Sequence, residues 1–200
     1  ETLCLDIDAE TMQKGMHVIV NETERLSRMV EELLDFSRMQ SGRLTVQPEP
    51  MDILAELGDA VLIYMEKAKR EHIRIIYQEP EMLPFVYGDK NRIRQVFINV
   101  IDNALKYSNP GGLVTVSAEA IGEQIQVRIS DNGVGISAAD LPKVKTKFFK
   151  ANHTRRGSGI GLAVANEIIT MHQGKLDLQS ELGKGTTVII TLPAMSDHLL

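Results

Sequence analysis

Three polar side chains share one side of a helix that the sequence predicts from Asp89 to Tyr107. Asn99, Asn103 and Lys106 stand at positions i, i+4 and i+7, which fall in one stripe along an α-helix. An amide oxygen suits Mg²⁺, an ion that takes few protein ligands besides nucleotide phosphates, and a lysine ammonium can neutralise a phosphate. Taken alone, however, such a stripe is more often a solvated helix face.

A carboxylate and two glycines follow a predicted strand in the segment Asp131-Asn-Gly133-Val-Gly135. A carboxylate at a strand end can accept a hydrogen bond from an exocyclic amine, which would distinguish adenine from guanine. The glycines would let the backbone approach a flat ligand closely. The same pattern is common in ordinary turns, so by itself it does not establish a binding site.

Two further glycine-rich segments follow. The first, Gly157-Ser-Gly159-Ile-Gly161-Leu162, opens a predicted helix whose first N–H groups suit phosphate. It follows a basic loop instead of a strand and lacks the acidic residue of a dinucleotide-binding unit, and the chain has no G-x-x-x-x-G-K-[ST] loop. The second, Gly183-Lys-Gly185-Thr186, is by itself typical of a hairpin turn before the last strand.

A long amphipathic helix is predicted at the N-terminus, from an N-cap at Asp8 to a C′ residue at Gly42. At about 1.5 Å per residue it would be roughly 50 Å long, more than the small domain after it can cover. We therefore expect a dimeric helical bundle, and a helix packed wholly on its own domain is the alternative. The apolar positions that approximate a heptad seam or recur at helical spacing are Met16, Ile19, Leu26, Met29, Val30, Leu33 and Phe36.

The remainder of the chain predicts an α+β fold, because strands and helices are segregated and a doubly wound sheet is disfavoured. Strands 113–120 and 124–130 are close enough to form a hairpin, and residues 141–158 are charged and irregular. The expected helices span 52–70, 89–107 and 159–172, and the other expected strands span 44–46, 73–78, 85–86, 175–179 and 186–192.

Composition narrows the possible functions. The chain has 200 residues, 43% of them hydrophobic and 24% charged, which is typical of one or two globular domains. A net charge of -5 gives no reason to expect a nucleic acid or an anionic membrane as the main partner. The single cysteine, Cys4, and the lack of zinc spacing favour a reducing cytoplasm. No apolar run approaches the roughly 20 residues that cross a bilayer.

The motifs, in their order along the chain, resemble the N, G1, F, G2 and G3 boxes of bacterial sensor histidine kinases. Residues 21–38 also resemble the second helix of that family's dimerisation and phosphotransfer domain. The segments that carry the boxes are Asn99-x-x-x-Asn103-Ala-Leu-Lys106-Tyr107-Ser108, Asp131-x-Gly133-x-Gly135, Phe148-Phe149-Lys150, Gly157-Ser-Gly159-Ile160-Gly161-Leu162 and Gly183-Lys-Gly185-Thr186.

This resemblance implies the GHKL (Bergerat) fold, a two-layer α/β sandwich, preceded here by a long helix of a dimerisation bundle. It implies three regions: a partial dimerisation and histidine-phosphotransfer segment at 1–43, an ATP-binding catalytic domain at 44–195 and a tail at 196–200. Nucleotide would lie between the helices and a lid at about 144–158.

The resemblance also assigns roles to residues, with ATP and Mg²⁺ as the implied cofactors. Asn103 would ligate Mg²⁺, Asn99 would support the triphosphate site, and Lys106 would contact phosphate. Asp131 would accept the adenine amine. Lys150, where the family often has Arg, would reach the γ-phosphate. The other implied nucleotide contacts are Tyr107 and Thr186 beside the base, Gly133 and Gly135 giving it room, and Gly159, Ile160, Gly161 and Leu162 around the phosphates.

The chain departs from the family at two places. Lys145 stands where the family usually has an earlier Phe of the F box, so the lid is expected to be packed more loosely or anchored differently. No histidine is followed by Glu or Asp, as the phosphoacceptor normally is, so the accepting helix is expected upstream of Glu1. The five histidines, His17, His72, His153, His172 and His198, are followed by Val, Ile, Thr, Gln and Leu.

The implied function is therefore that of a protein-histidine kinase. It would bind Mg-ATP, phosphorylate a histidine outside this chain and pass the phosphate to an aspartate of a response-regulator receiver domain. We expect a homodimer through the N-terminal helix and a cytoplasmic location, as part of an inner-membrane sensor. A non-catalytic nucleotide-binding or dimerisation module is the alternative. A hydrolase of the same fold is less favoured, because Asn99 replaces the Glu that activates water in the related ATPases.

Overall fold

The computed structural model describes residues 8–41, 45–146, 149 and 159–195. The chain divides into two compact units, residues 1–43 and 44–200. The first unit contains one helix, α1 (Ala9–Gln40). Asp8 caps it, since the backbone N–H of Thr11 donates to Asp8 Oδ1 at 2.6 Å, as the sequence predicts. The large apolar side chains that α1 leaves exposed include Met12, Met16, Val18, Ile19, Val20, Leu26, Val30, Leu33 and Leu34.

The second unit has two layers, a five-stranded sheet with three helices on one face. The helices are α2 (Ile53–Arg70), α3 (Lys90–Tyr107) and α4 (Gly161–Met171), and α3 packs between the other two. The sheet has the order β2-β4-β5-β7-β6. Its strands are β2 (Arg74–Gln78), β4 (Leu113–Ile121), β5 (Gln124–Asp131), β6 (Lys175–Glu181) and β7 (Gly185–Pro193). The expected α+β sandwich is thus confirmed.

The sheet is mixed, which the sequence did not indicate. Strand β2 pairs parallel with β4, whereas the β4–β5, β5–β7 and β6–β7 pairs are antiparallel. Between sheet and helices lies an apolar core. Its largest fully buried side chains include Phe97, Ile93, Ile101, Ile125, Ile129, Ile168 and Leu176.

The strand expected at 44–46 is wrong in the part that the structure describes. Residues 45–48 form no strand, and Leu44 lies outside the described residues. The strand comes later as β1 (Glu49–Met51), paired with β3 (Val86–Gly88) in a separate two-stranded sheet. Pro50 is tolerated because β1 pairs with β3 on one side only and is an edge strand. The almost fully buried Met51, opposite Val86, fixes this register.

Aspartate caps and one histidine hold the helices in place. Asp52 accepts from the N–H of Leu54 at 2.9 Å, and Asp89 accepts from the N–H of Asn91 at 3.1 Å, so α2 and α3 begin where the capping rules predict. His172 ends α4 and is buried. Its Nε2 accepts the N–H of Asp89 at 2.9 Å, and its Nδ1 lies 2.7 Å from the Ile168 carbonyl. The end of α4 is thereby tied to the start of α3.

Candidate functional site

The sheet register brings three polar residues to one end of the helix-facing surface. On β5, alternate residues Ile125 to Ile129 are buried in the core, and Asp131 continues that face. Asp131 lies opposite Thr186 of β7, and Thr186 lies opposite Ser180 of β6. A hydroxyl pair and a carboxylate therefore stand side by side where the core ends.

Asp131 is held in a dehydrated but hydrogen-bonded position. Burial raises the pKa of the Asp131 carboxyl above its ordinary 3.8, while the backbone N–H groups of Gly133 and Thr186 oppose this by stabilising the ionised form. The Gly133 N–H donates to Asp131 Oδ1 at 2.9 Å. The carboxylate is thus aimed by its own turn and retains lone pairs for a further donor.

The turn after Asp131 is pinned between α3 and β6. The N–H of Val134 donates to the Tyr107 carbonyl at 3.1 Å, and the Val134 carbonyl accepts from Gly183 at 2.8 Å. A Cβ at Gly133 would overlap the Tyr107 carbonyl. Gly135 has φ +66°, and a Cβ there would overlap the Glu181 carbonyl. Both glycines are therefore required by close backbone approach, apart from any role toward a ligand.

The polar stripe of α3 faces the start of α4 at one point. Asn99 Nδ2 donates to the Gly161 carbonyl at 3.1 Å. Asn103 is half-buried, and no other described residue hydrogen-bonds its carboxamide. Lys106 Nζ lies 4.8 Å from the ring centroid of Tyr107. The structure thus connects Asn99 with the glycine-rich helix start and leaves the Asn103 amide oxygen available to a cation.

The first turn of α4 has no side-chain cap. Ile160 is the N-cap residue, is buried, and makes no side-chain capping bond to the helix. Such an end leaves backbone N–H groups for another acceptor, since the first N–H groups of a helix have no intrahelical partner. Gly161 and Leu162 form its first two positions and are half-buried. The helix begins two residues after the predicted Gly159.

Part of the expected site lies outside the described residues. Lys150, Phe148, Gly157 and Ser158 are in that group, so the assignment of Lys150 to the γ-phosphate stays a prediction. Among the described residues there is also no group of three His, Cys, Asp or Glu side chains that could hold a metal.

Lys145, which departs from the family pattern, has a defined partner. Its Nζ donates to the Leu176 carbonyl on β6. The segment that leads toward the lid is therefore attached to the sheet edge by an ammonium group instead of an aromatic ring. Most of the lid lies outside the described residues, so its anchoring stays a prediction.

Sequence reasoning missed Ser180, whose hydroxyl contacts three polar groups near Asp131 and Thr186. The sequence did contain a signal that could have indicated Ser180. Leu176, Leu178 and Ser180 alternate along β6 on the helix-facing side, so a polar residue follows two apolar ones at a position that points inward. The register that places Ser180 beside Thr186 is not visible in the sequence.

Residues 88–196 match the family described as histidine kinase-, DNA gyrase B-, and HSP90-like ATPase. The chain belongs to this family. The resemblance to the catalytic domain of sensor histidine kinases is confirmed by its relatives. The sensor protein SrrB of Staphylococcus aureus is 33% identical over 190 residues, which are 93% of this chain and 32% of SrrB. The chain thus spans about a third of the length of that relative.

Solved histidine kinases share the fold. ShkA, solved at full length in complex with AMPPNP, has a TM-score of 0.81 at 23% identity and covers 96% of this chain and 41% of its own. ThkA, solved in complex with the response regulator protein TrrA, has a TM-score of 0.74 at 22% identity over 94% of this chain and 53% of its own. At such identities the likeness concerns the fold. None of the described helices of our chain has the length and apolar character that a bilayer crossing requires.

Proposed function

We propose that residues 44–195 bind Mg-ATP between the polar stripe of α3, the start of α4 and the Asp131 end of the sheet. The observation that carries this proposal is the register of Asp131 with Thr186, which gathers hydrogen-bonding groups at the edge of an otherwise apolar core. Asp131 accepts the adenine amine, Thr186 and Tyr107 lie beside the base, and Gly133 and Gly135 give it room. The AMPPNP complex of ShkA supports a nucleotide at this fold.

The phosphates extend toward the other end of the stripe. Asn103 would hold Mg²⁺ through its amide oxygen, which suits a hard cation and has no hydrogen-bonding partner among the described residues. When bound, the ion neutralises charge on the phosphate oxygens. Lys106 adds a positive charge, and the backbone N–H groups at the N-terminus of α4, around Gly159, Ile160, Gly161 and Leu162, receive the phosphates. Lys150 is assigned to the γ-phosphate.

The reaction we propose is transfer of the γ-phosphoryl group to a histidine outside this chain. An imidazole nitrogen attacks the γ-phosphorus, the bond to the β-phosphate oxygen breaks and ADP leaves. Asn99 is an amide and already donates to the Gly161 carbonyl at 3.1 Å, so it cannot act as a base toward water. Kinase chemistry is therefore favoured over hydrolysis, with catalysis by positioning and charge neutralisation.

The larger protein is proposed to be a two-component sensor kinase. Residues 1–43 would belong to the dimerisation and histidine-phosphotransfer domain, residues 196–200 to a tail, and the dimer would form through α1. The phosphate would then pass to an aspartate of a response-regulator receiver domain, the type of partner found with ThkA. We place this domain in the cytoplasm, attached to an inner-membrane sensor.

A phosphotransfer assay tests the proposal. The chain is mixed with a separate polypeptide that carries an upstream acceptor helix, together with γ-labelled ATP and Mg²⁺. We expect acid-labile, base-stable label on a histidine of the acceptor. Asn103→Ala should abolish labelling. Asn91→Ala changes the same residue type on the same helix but at an exposed position, and it should leave labelling unchanged.

Two other outcomes would contradict the kinase assignment. ATP binding without label on any imidazole would favour a non-catalytic nucleotide-binding module. Steady phosphate release that is lost in Asn99→Ala, with no phosphohistidine formed, would indicate a hydrolase instead.

A further inference from the structure

The hydroxyl of Ser180 has three polar neighbours at the edge of the site. The N–H of Ile136 donates to Ser180 Oγ at 2.8 Å. The carbonyl oxygen of Gly185 lies 2.8 Å from the same atom and accepts from it. Thr186 Oγ1 also lies 2.8 Å from Ser180 Oγ, a pair in which either hydroxyl can be the donor. Ser180 thus has as many partners as a hydroxyl has bonding positions.

The direction of the Ser180–Thr186 bond follows from counting protons. A serine hydroxyl has one proton and two lone pairs. The Ile136 N–H can only donate, so it takes one lone pair, and the Gly185 carbonyl can only accept, so it takes the proton. One lone pair remains. Thr186 must therefore be the donor to Ser180, and the only proton of the Thr186 hydroxyl is turned away from the site.

Asp131, the partner of Thr186 on β5, is likewise only an acceptor toward a ligand. Its ionised carboxylate can only accept, and the N–H groups nearest to it, of Gly133 and Thr186, already point at the carboxylate. The adjacent groups on β5 and β7 thus present lone pairs and no O–H. Such an arrangement fits a ligand that donates at this point and is unfavourable for one that presents a carbonyl oxygen.

We propose that Ser180 is a specificity-determining positioning residue of the nucleotide site. Because Ser180 takes the only proton of the Thr186 hydroxyl, Thr186 can only accept a hydrogen bond from the base. The site therefore excludes purines that carry a carbonyl group in place of the amine. Ser180 need not touch the base for this. The inference rests on the proposed nucleotide site and adds to it the reason for base discrimination. Without Ser180, the Thr186 hydroxyl can rotate and donate to a base carbonyl.

The protein contains a matched control for this pair. Ser130 Oγ and Thr187 Oγ1 lie 2.7 Å apart, and these residues are direct partners in the β5–β7 register. They are one residue away from Asp131 and Thr186, so they occupy the opposite face of the sheet. Ser130→Ala therefore removes a similar cross-strand hydroxyl pair without changing the face toward the helices.

The test is calorimetric titration of the chain with ATP and with inosine triphosphate, both with Mg²⁺. Inosine triphosphate carries a carbonyl where ATP carries the amine. We expect the ratio of the two Kd values to narrow about fivefold to tenfold in Ser180→Ala, in line with one hydrogen bond, mainly through tighter inosine triphosphate binding. Ser180→Thr, which keeps the hydroxyl, and Ser130→Ala should preserve the ratio.

An unchanged ratio of the two Kd values in Ser180→Ala would overturn the inference, and so would an equal narrowing in Ser130→Ala. In either case, ATP binding by the unaltered chain would still support the proposed function. Absence of ATP binding by the unaltered chain would overturn both. If Ser180→Ala does not fold, as judged by its circular dichroism, Ser180→Cys is measured instead, since the thiol keeps the shape and weakens each hydrogen bond. A smaller narrowing of the Kd ratio, in the same direction, is expected there.

Discussion

The partly buried carboxyl of Asp131 makes the stability of the folded chain depend on pH. Because burial raises the pKa of this carboxyl above 3.8, the folded chain binds the proton more tightly than the unfolded chain. The contribution of Asp131 to stability is therefore greatest below pH 3.8 and is lost as the pH rises through the higher folded-state pKa. The ionised Asp131 carboxylate is a partly dehydrated charge, which a hydrogen-bond donor on a ligand would compensate.

This gives a prediction for the pH dependence of binding. ATP affinity should fall as the pH is lowered through the raised pKa of Asp131, because the protonated carboxyl is a poorer acceptor for the amine. Asp131→Asn should bind ATP about tenfold to a hundredfold more weakly at neutral pH and should lose most of that pH dependence. Calorimetry from neutral pH down toward the ordinary carboxyl pKa of 3.8, at constant ionic strength, measures both effects.

Asp177→Asn is the control for that experiment. Asp177 lies on β6, which β7 separates from β5, and it forms an exposed pair with Lys175, at 2.7 Å between Lys175 Nζ and Asp177 Oδ2. Its substitution should change neither the affinity nor the pH profile. A flat profile in the unaltered chain would show that Asp131 does not contact the base.

At the scale of elements, the helices of the catalytic unit are set by local capping, whereas the strands are set by pairing between distant segments. Asp52 and Asp89 start their helices through local capping bonds, so the sequence was sufficient to predict α2 and α3. Strand β1 was misplaced because it exists only through its pairing with β3, more than 30 residues later. Ser180 was missed for a similar reason, since its role depends on the register of three strands. Local signals predict elements well, whereas long-range pairing decides their edges.

The start of α4 offers a substitution that separates stability from binding. A Cβ at Gly161 would lie 3.6 Å from Asn99 Cγ, an ordinary contact, and alanine is a better helix residue than glycine by about 1 kcal/mol. Gly161→Ala should therefore keep or raise the melting temperature. It should still weaken ATP binding at least severalfold, because the added methyl group lies where phosphate would approach the helix N–H groups.

Thermal melting and calorimetry on the same sample test this pair of effects. Gly183→Ala provides a comparison at the last glycine-rich turn, where a Cβ would meet open space but φ is +82°. It should lower the melting temperature without a specific effect on binding. Unchanged ATP affinity in Gly161→Ala would contradict the placement of the phosphates.

The helix layer is joined by an ion pair between α2 and α3. Arg94 Nη2 lies 2.6 Å from Glu56 Oε2 and 3.1 Å from Asp59 Oδ2, and Glu56 is buried. Arg94→Met would leave the buried Glu56 carboxylate without its partner. We expect a loss of about 3 kcal/mol in the free energy of unfolding, measured by urea denaturation.

The exposed pair of Lys184 and Glu181, at 2.7 Å, serves for comparison. Lys184→Met should change the free energy of unfolding by no more than about 0.5 kcal/mol, because exposed ion pairs contribute little. Equal effects of the two substitutions would mean that Glu56 is not held by Arg94 in solution.

At the scale of the whole molecule, the chain combines an α+β sandwich of the histidine kinase-like ATPase family with a helix, α1, that exposes many of its described large apolar side chains. The order of the motifs was sufficient to predict the family, because each box is local in sequence. The chain spans only 32% of SrrB, so the activity and partners of the whole protein stay predictions. The proposed reaction needs a phosphoacceptor histidine in addition to the nucleotide site.

The exposed apolar side chains of α1 predict self-association. We expect sedimentation equilibrium to give about twice the chain mass of 22.2 kDa, with a shift toward the single-chain mass when Leu26 and Leu33, both exposed, are changed to Glu. Leu62→Glu alters an exposed leucine of α2 and should leave the mass unchanged. A chain that sediments at 22.2 kDa up to high micromolar concentration would contradict a dimer through α1.

The most direct test of the central claim is a nuclear magnetic resonance titration of the chain with Mg²⁺ and a nonhydrolysable ATP analogue. If the nucleotide lies where we place it, the largest shifts will occur at the side-chain amides of Asn99 and Asn103 and the backbone amides of Gly133, Gly161 and Thr186. Asn91, at the exposed start of α3, should not shift. Saturable binding that leaves Asn103 and the Asp131 turn unperturbed would contradict the account.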